Sequence, residues 1–235
     1  MQLRNKRPIC LIDVLYKIVA KVLASRLSTT LNKLVNQDQT GFVKGRYIGE
    51  NLRLVSDIIT YCDKENLEGI LLTIDFRNAF DTLERDFIAF ALNSFNFGEQ
   101  FCAWIRLLYQ DAQLSVINDG VTSEWFPCER GTFQGSPISG MLFILAIELL
   151  ANRIRRCKEV EGITVSGIEV KVSLYADDMT VFLKNSDSLG VCLSIIEEFR
   201  KASGLAINIS KTKIMWLGRY IERSAEVMLR HQTSG

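Results

Sequence analysis

The sequence predicts an α+β fold from three observations. Amphipathic helical patterns cover residues 14 to 35 and a segment near 50 to 66. GILLTIDF, residues 69 to 76, is a nearly continuous apolar run that suits a strand buried on both faces. VSLYADDMTVFL, residues 172 to 183, has the β-branched and aromatic residues of a hairpin with its turn at Ala-Asp-Asp. If the strand and the hairpin share one sheet, the aspartates at their ends can converge.

The amino-terminal part is predicted to hold two helices. Residues 14 to 35 place a stripe of apolar residues on one face, namely Leu15, Ile18, Val19, Val22 and Leu23. A second helix is expected near 50 to 66. The loop between them, QTGFVKGRYIG, alternates glycines with Lys44 and Arg46, which suits contact with a phosphate. An ordinary turn is the alternative interpretation.

After the strand that ends at Asp75, helices are expected near 83 to 95, capped by Asp81 or Thr82, and near 99 to 110. Asp119-Gly120 indicates a tight hairpin. The loop RGTFQGSPISG carries Gln134, whose side chain could reach a base or sugar or simply face water, and it opens into a buried helix. A helix near 187 to 202 and two strands, GLAINI and IMWLG, complete the prediction.

The pair Asp177-Asp178 needs an explanation, because two like charges beside apolar strands repel unless a cation lies nearby. Together with Asp75 they could supply the carboxylate oxygens that Mg²⁺ prefers. Two such ions about 4 Å apart would activate a hydroxyl and stabilise the leaving oxygen of a phosphoryl transfer. The alternative is a solvated loop tip with two ordinary aspartates.

Composition narrows the function classes. The 235 residues are 48% hydrophobic and 23% charged, as in a soluble globular protein. No secretory signal or stretch long enough to span a bilayer is recognised, and the six cysteines form no CxxC pair, so an intracellular location, cytoplasm and/or nucleus, is expected. A single histidine, His231, leaves almost no material for a histidine triad or zinc site.

The charges are unevenly distributed. Residues 1 to 60 hold ten basic against four acidic side chains, and residues 61 to 130 hold five against twelve. A basic part beside an acidic middle is typical of proteins that handle polyphosphates. Solvated helix faces would give the same pattern.

Several motifs in order identify a family. RPICLIDVLYKIVAKVLASRL, QTGFVKGRYI, LLTIDFRNAFD, FQGSPIS, LYADD, SGLAINISKTK and WLG follow one another along residues 4 to 218. This succession resembles the reverse transcriptase domain of non-LTR (LINE-type) retrotransposons. The form QTGFxKGR favours the LINE side over group II intron and retron enzymes, which share YADD.

The resemblance implies roles for individual residues. Asp75, Asp177 and Asp178 match the family's metal-binding aspartates, the carbonyl of Phe76 would complete one metal shell, and two Mg²⁺ ions are implied, with Mn²⁺ as an alternative. Phe80 matches the aromatic gate that excludes a ribose 2′-hydroxyl. The remaining implied contacts are Gln134 along the incoming nucleotide, Lys44, Arg46 and Arg7 at the triphosphate, and Lys211, or alternatively Lys213, near the leaving pyrophosphate.

The resemblance also implies a right-handed polymerase architecture. Residues 1 to 69 would form a fingers-like subdomain, residues 70 to 219 a palm with an antiparallel sheet, and residues 220 to 235 a short tail, with no thumb. The expected activity is RNA-directed DNA synthesis with an RNA template, a DNA primer and deoxynucleoside triphosphates, without a membrane partner.

Two alternatives remain open at this stage. The chain could be a truncated, inactive nucleic-acid-binding remnant of such an element. An RNA-dependent RNA polymerase shares the palm but usually carries GDD in place of YADD.

Overall fold

The structure, a computed structural model, describes residues 10–218. Its helices are α1 (Val14–Leu34), α2 (Ile48–Lys64), α3 (Ala79–Thr82), α4 (Arg85–Ser94), α5 (Glu99–Tyr109), α6 (Ser139–Arg156) and α7 (Ser186–Ser203). Its strands are β1 (Gly69–Ile74), β2 (Gln113–Leu114), β3 (Ile117–Asn118), β4 (Val121–Thr122), β5 (Phe126–Pro127), β6 (Ile163–Val165), β7 (Ile168–Val170), β8 (Val172–Tyr175), β9 (Asp178–Leu183) and β10 (Lys213–Leu217). The predicted tail from residue 220 onward lies outside the described residues.

A four-stranded antiparallel sheet forms the centre of the fold, in the order β10-β1-β9-β8. Strand β1 lies between β10, where Gly69 pairs with Leu217, and β9, where Ile74 pairs with Met179. The buried strand and the hairpin therefore share one sheet, as the aspartate hypothesis requires. Two-stranded ribbons, β2 with β5, β3 with β4 and β6 with β7, lie outside this sheet.

Both faces of the sheet are covered because side chains alternate along each strand. Ile70, Leu72 and Ile74 of β1 enter the larger core, which they share with residues of α1, α4, α6 and α7. Leu71 points to the opposite face and joins a smaller core with Ile58 and Cys62 of α2. Almost all of β1 is thus inaccessible to water, which explains its continuous apolar sequence.

Helix α1 forms where predicted, but it packs through a different face. Its buried residues are Ala20, Leu23, Ala24, Leu27 and Leu31. Of the predicted stripe only Leu23 is buried, whereas Leu15 and Ile18 are more than half exposed and Val22 is 49% exposed. The prediction was wrong because this helix carries apolar residues on two faces, and the face with small alanines allows the closer approach to α6.

Two further local predictions need correction, and one pair of strands was not predicted. The segment GLAINI forms no strand and makes a single antiparallel bridge, Phe76 with Ile207. Helix α4 begins at Arg85 after Glu84 and lacks a side-chain cap, because Asp81 and Thr82 belong to the separate turn α3. Strands β6 and β7, joined by Ser166 and Gly167 with positive φ, were not predicted.

The predicted Asp119-Gly120 hairpin is confirmed. Both residues have positive φ, 51° and 79°, and they connect β3 to β4, as a tight turn with Asp-Gly requires. Within residues 10–218, no helix combines the length and apolar character needed to cross a membrane.

Candidate active site

Asp75 and Asp178 meet at one end of the central sheet. The ladder between β1 and β9 ends with Ile74 opposite Met179, so continuing it by one residue sets Asp75 opposite Asp178. Residues opposite each other on antiparallel strands lie about 5 Å apart and point to the same face. Both aspartates line one open cleft with a volume of about 450 Å³.

A lysine neutralises part of this acidic cleft. Lys211 Nζ lies 3.7 Å from Asp75 Oδ1, and the two side chains are 64% and 31% exposed. Lys213, Ser210 and Thr73 line the same cleft. Because both groups reach solvent, the pair is weak and an incoming ion or phosphate can replace either partner.

The segment after α7 fixes the backbone at Asp75. Asn208 N–H donates to the Asp75 carbonyl at 2.7 Å, and Thr212 Oγ1 accepts from Asp75 N–H at 3.3 Å. Arg77 N–H donates to the Ala206 carbonyl at 2.8 Å. These bonds of Asp75 and Arg77 flank the bridge between Phe76 and Ile207, and the Phe76 carbonyl takes part in neither of them. The same segment carries Lys211, so it contacts Asp75 both through its backbone and through a second predicted site residue.

Asp177 occupies the tight turn between β8 and β9. Tyr175 pairs with Asp178, which leaves Ala176 and Asp177 as the two central turn residues. Asp177 is partly buried and does not line the cleft of Asp75 and Asp178. Among residues 10–218, no three carboxylate, thiol or imidazole side chains form a ready-made metal cluster. Two carboxylates on one cleft fit a divalent ion, because Mg²⁺ usually binds through one or two protein carboxylates together with substrate phosphates.

Phe80 lies on α3, the short helix that follows Asp75 in the chain. Its ring centroid is 4.5 Å from that of Phe143 on α6 and 6.1 Å from that of Phe42 in the loop before α2. Its carbonyl accepts a hydrogen bond from Thr132 N–H at 2.6 Å. The ring is therefore held between two aromatic neighbours and remains partly exposed.

The other predicted nucleotide contacts differ in their surroundings. Gln134 Nε2 donates to Asp81 Oδ1 at 2.9 Å. Lys44 is exposed and lines a second cleft with Phe42, Arg46 and Tyr175. Arg7 lies outside the described residues.

The Arg46 guanidinium is turned into its own loop. It donates to the carbonyls of Gln39 at 2.6 Å, Val35 at 3.0 Å and Asn32 at 3.4 Å, and also to that of Asn36. These bonds tie the end of α1 to the start of QTGFVKGR. Arg46 thus has a structural role that its motif did not reveal.

Sequence reasoning did not single out Gln39, the first residue of QTGFVKGR. It is fully buried and bonded to the backbone of Ala176. A glutamine in a polar loop gives no local signal of burial, and only the fold brings it beside the turn. The one signal in the sequence was its place as the first residue of QTGFVKGR, the motif proposed to contact a phosphate.

Comparison with known proteins decides the family. Residues 2–228 match the model of a family described as reverse transcriptase (RNA-dependent DNA polymerase). The chain belongs to the reverse transcriptase family. The resemblance found in the sequence motifs is thereby confirmed.

Relatives of this member of the family include mobile-element proteins. It is 32% identical over 213 residues to an uncharacterized 149 kDa protein of transposon TX1 from Xenopus laevis, covering 89% of this chain and 16% of that protein. It is 27% identical over 205 residues to the Pol polyprotein of the type-2 retrotransposable element R2DM from Drosophila melanogaster, covering 87% and 19%. The chain thus spans less than a fifth of the length of these two relatives.

Solved structures share the fold. Apo telomerase from Candida tropicalis matches 87% of this chain and 37% of its own, with a TM-score of 0.60 and 15% identity. Telomerase from the same organism in complex with a fragment of telomeric RNA matches 84% and 33%, with a TM-score of 0.59. The reverse transcriptase family uses divalent metal ions in general, which agrees with the carboxylates in the cleft.

Proposed function

We propose that this chain is the catalytic core of an RNA-directed DNA polymerase of a non-LTR retrotransposon. The observation that carries the proposal is the register of the central sheet, which sets Asp75 opposite Asp178 at an open cleft. Membership in the reverse transcriptase family supports this reading of the cleft. The substrates would be an RNA template, a DNA primer and deoxynucleoside triphosphates.

Asp75 and Asp178 would hold the divalent ions, with Asp177 and the Phe76 carbonyl as further ligands. Two Mg²⁺ ions are proposed, and Mn²⁺ would also suit these oxygen donors. When bound, the ions supply activation of the primer hydroxyl and stabilisation of the leaving oxygen. Carboxylates on neighbouring strands are rigidly spaced, and this spacing preorganises them for the task.

The remaining residues would orient the nucleotide. Phe80 would exclude a ribose 2′-hydroxyl by occupying its space, and its two aromatic neighbours hold the ring in position. Lys211 would neutralise or protonate the leaving pyrophosphate, since its ammonium already lies beside Asp75. Lys44 would contact the triphosphate from its exposed loop, with Arg7 as a further candidate. Gln134 would reach the nucleotide only by exchanging its bond to Asp81.

In terms of polymerase architecture, we propose that the central sheet with α4, α6 and α7 is the palm, within residues 70 to 219. Residues 1 to 69, with α1 and α2, would form the fingers-like part. The antiparallel sheet that carries the aspartates supports the first assignment, and the basic charge of the amino-terminal residues supports the second.

The test is extension of a DNA primer on an RNA template with deoxynucleotides and Mg²⁺. The parent chain is expected to extend the primer, and Asp177→Asn and Asp178→Asn are expected to abolish extension while keeping the thermal unfolding temperature. Chelation of the metal should also stop the reaction. Absence of extension by a folded parent chain would contradict the proposal and favour an inactive nucleic-acid-binding remnant.

A further inference from the structure

The turn that carries Asp177 has an unusual backbone. Ala176 is its first central residue and adopts a φ of 55°, in the left-handed region where glycine is usual. For an alanine this conformation is unfavourable, because its Cβ comes too close to the following carbonyl oxygen. Ala176 is also buried, with 5% exposure, so its peptide groups need partners within the protein. Something outside the hairpin must therefore stabilise the turn.

Gln39 supplies those partners. Its Oε1 accepts from Ala176 N–H at 2.9 Å and from Gly41 N–H at 2.8 Å. Its Nε2 donates to the Ala176 carbonyl at 3.4 Å. Both backbone polar groups of the strained residue thus end on one side chain, which is itself 0% exposed.

The segment around Gln39 is fastened to strand β8. Leu174 N–H donates to the Asp38 carbonyl at 2.8 Å, and the Leu174 carbonyl accepts from Thr40 N–H at 2.9 Å. Asn51 of α2 adds bonds from Nδ2 to the Leu174 carbonyl at 3.0 Å and to Ser173 Oγ at 2.8 Å. The loop before α2 therefore runs beside β8 and reaches the turn with little freedom.

Gly41 allows the close approach. A Cβ built on Gly41 would lie 2.2 Å from Ala176 N, closer than any real contact. Gly41 does not have positive φ, so the missing side chain serves proximity rather than backbone conformation. Its lack of a side chain lets Gln39 reach the turn.

Helix α6 anchors the same segment from the other side. Arg155 Nε donates to Asp38 Oδ2 at 2.8 Å, and Arg155 also pairs with Glu148 at 2.8 Å. The Glu148 carboxylate, which is 1% exposed, accepts from Asn36 N–H at 3.1 Å. The residues before Gln39 are thus held on a rigid helix of the core.

We propose that Gln39 is a positioning residue that sets the Ala176–Asp177 turn so that Asp178 faces Asp75. The inference rests on the proposed function, because Gln39, in the loop before α2, supports the turn of the proposed catalytic centre. Gln39 acts through the backbone of Ala176 rather than on a substrate. Its amide supplies an oxygen that accepts from two N–H groups and a separate nitrogen that donates to the carbonyl.

Two substitutions test the hydrogen bonds that Gln39 accepts and donates. Gln39→Met keeps the length and approximate volume of the side chain but removes all three hydrogen bonds. Gln39→Glu keeps an oxygen for the two accepted bonds and replaces the amide donor with a carboxyl oxygen, which can donate to the Ala176 carbonyl only in its protonated form. This variant is expected to fold. Gln100→Met, at an exposed position on α5, is the matched control.

The first readouts need no DNA synthesis. Amide hydrogen exchange at Ala176 should become about tenfold faster or more in Gln39→Met, because a buried N–H loses its partner, while exchange inside α6 should stay at the parent rate. Binding of Mn²⁺ alone, followed by electron paramagnetic resonance, should weaken several-fold. Gln39→Glu should fall between Gln39→Met and the parent chain.

Primer extension gives the third readout. In Gln39→Met the kcat should fall about tenfold or more, whereas the KM for deoxynucleotide should change little, because the loss affects alignment and not substrate binding. Gly41→Ala, which retains Gln39 but forces its segment away from the turn, should shift all three readouts in the same direction.

A folded Gln39 variant with parental Ala176 exchange and parental Mn²⁺ affinity would overturn the inference. The two failures are distinguishable. If the parent chain makes no DNA but Gln39→Met still weakens Mn²⁺ binding, the proposed function falls and the positioning role stands. If Asp178→Asn is inactive while Gln39→Met retains parental values, the reverse holds.

Discussion

Two aspartates on neighbouring strands carry the proposed chemistry, and the residues around them are proposed to set its selectivity and rate. Asp75 and Asp178 come together through strand register, which neither motif states by itself. Phe80, Lys44 and Arg46 then differ in what they contact, although the motifs suggested that all three contact the incoming nucleotide. Their substitutions should therefore have different consequences.

Replacing Phe80 with valine tests the sugar gate. Phe80→Val removes the ring proposed to exclude a ribose 2′-hydroxyl, so the ratio of ribonucleotide to deoxynucleotide incorporation should rise about tenfold to a hundredfold. The measurement is kcat/KM for each nucleotide on an RNA template. Phe90→Val, at an exposed aromatic residue on α4, should leave the ratio unchanged. An unchanged ratio in Phe80→Val would remove Phe80 from this role.

Arg46 and Lys44 should separate stability from substrate binding. A lysine at position 46 cannot donate hydrogen bonds to all the carbonyls that the Arg46 guanidinium contacts. The free energy of unfolding of Arg46→Lys should therefore fall by about 2 kcal/mol. Lys44→Met should leave that free energy unchanged and raise the KM for deoxynucleotide, because Lys44 is exposed. Urea unfolding and steady-state kinetics measure both effects. A parental stability of Arg46→Lys would contradict the structural role.

At the level of elements, α6 connects the core to the loop before α2. Arg155 is 15% exposed and bridges Asp38 of the loop to Glu148 on its own helix. An ion pair with both partners largely removed from water loses much more than a surface pair when one partner is deleted. The helix therefore depends on Arg155 for its hold on the loop.

Arg155→Met should lower the free energy of unfolding by about 3 to 5 kcal/mol, since it leaves two carboxylates without their cation. Arg153→Met is the matched control on the same helix, because Arg153 is 67% exposed and lies 3.9 Å from Glu198. The control should change stability by less than about 1 kcal/mol. Equal losses in the two variants would refute a special role for Arg155.

Comparison of the predicted with the observed helices and strands shows which structural features the sequence indicates locally. The ends of α2 and β1 lie within two residues of the prediction because apolar periodicity and a continuous buried run are local properties. The ribbon of β6 and β7 was missed because its strands have three residues each, too few to display a period. The buried face of α1 was misassigned because two apolar faces competed and only the partner helix decides between them.

In the candidate site, too, some residues could be predicted from local sequence and others could not. The identities of Asp75 and Asp178 could be predicted because carboxylates ending apolar strands stand out locally. The burial of Gln39 and the inward turn of Arg46 could not, because both depend on contacts between segments distant in the chain. Local pattern therefore found the groups proposed for chemistry and missed the groups that hold them.

At the scale of the whole molecule, one sheet with a core on each face brings distant motifs into one site. The loop before α2, the end of β1, the turn after β8 and the segment before β10 all lie around the cleft or its supporting turn. A fold of this kind makes the burial of every core residue depend on the complete topology. Thiol accessibility reports on that topology directly.

The cysteines should label in two classes. Cys62, Cys102 and Cys192 are buried, and burial raises the pKa of Cys192 to about 12, so it stays a protonated thiol at neutral and mildly alkaline pH. Cys128 and Cys157 are partly exposed and should react with iodoacetamide in the folded chain. Mass spectrometry before and after denaturation measures this pattern. Early labelling of Cys192 would contradict the packing of α7 on the core.

The most direct test of the central claim is the position of bound Mn²⁺, located by anomalous X-ray scattering from crystals of the chain with an RNA–DNA hybrid. Peaks are expected in the cleft, about 2.1 Å from carboxylate oxygens of Asp75 and Asp178. Peaks bound elsewhere on the protein, with none at these two aspartates, would contradict it.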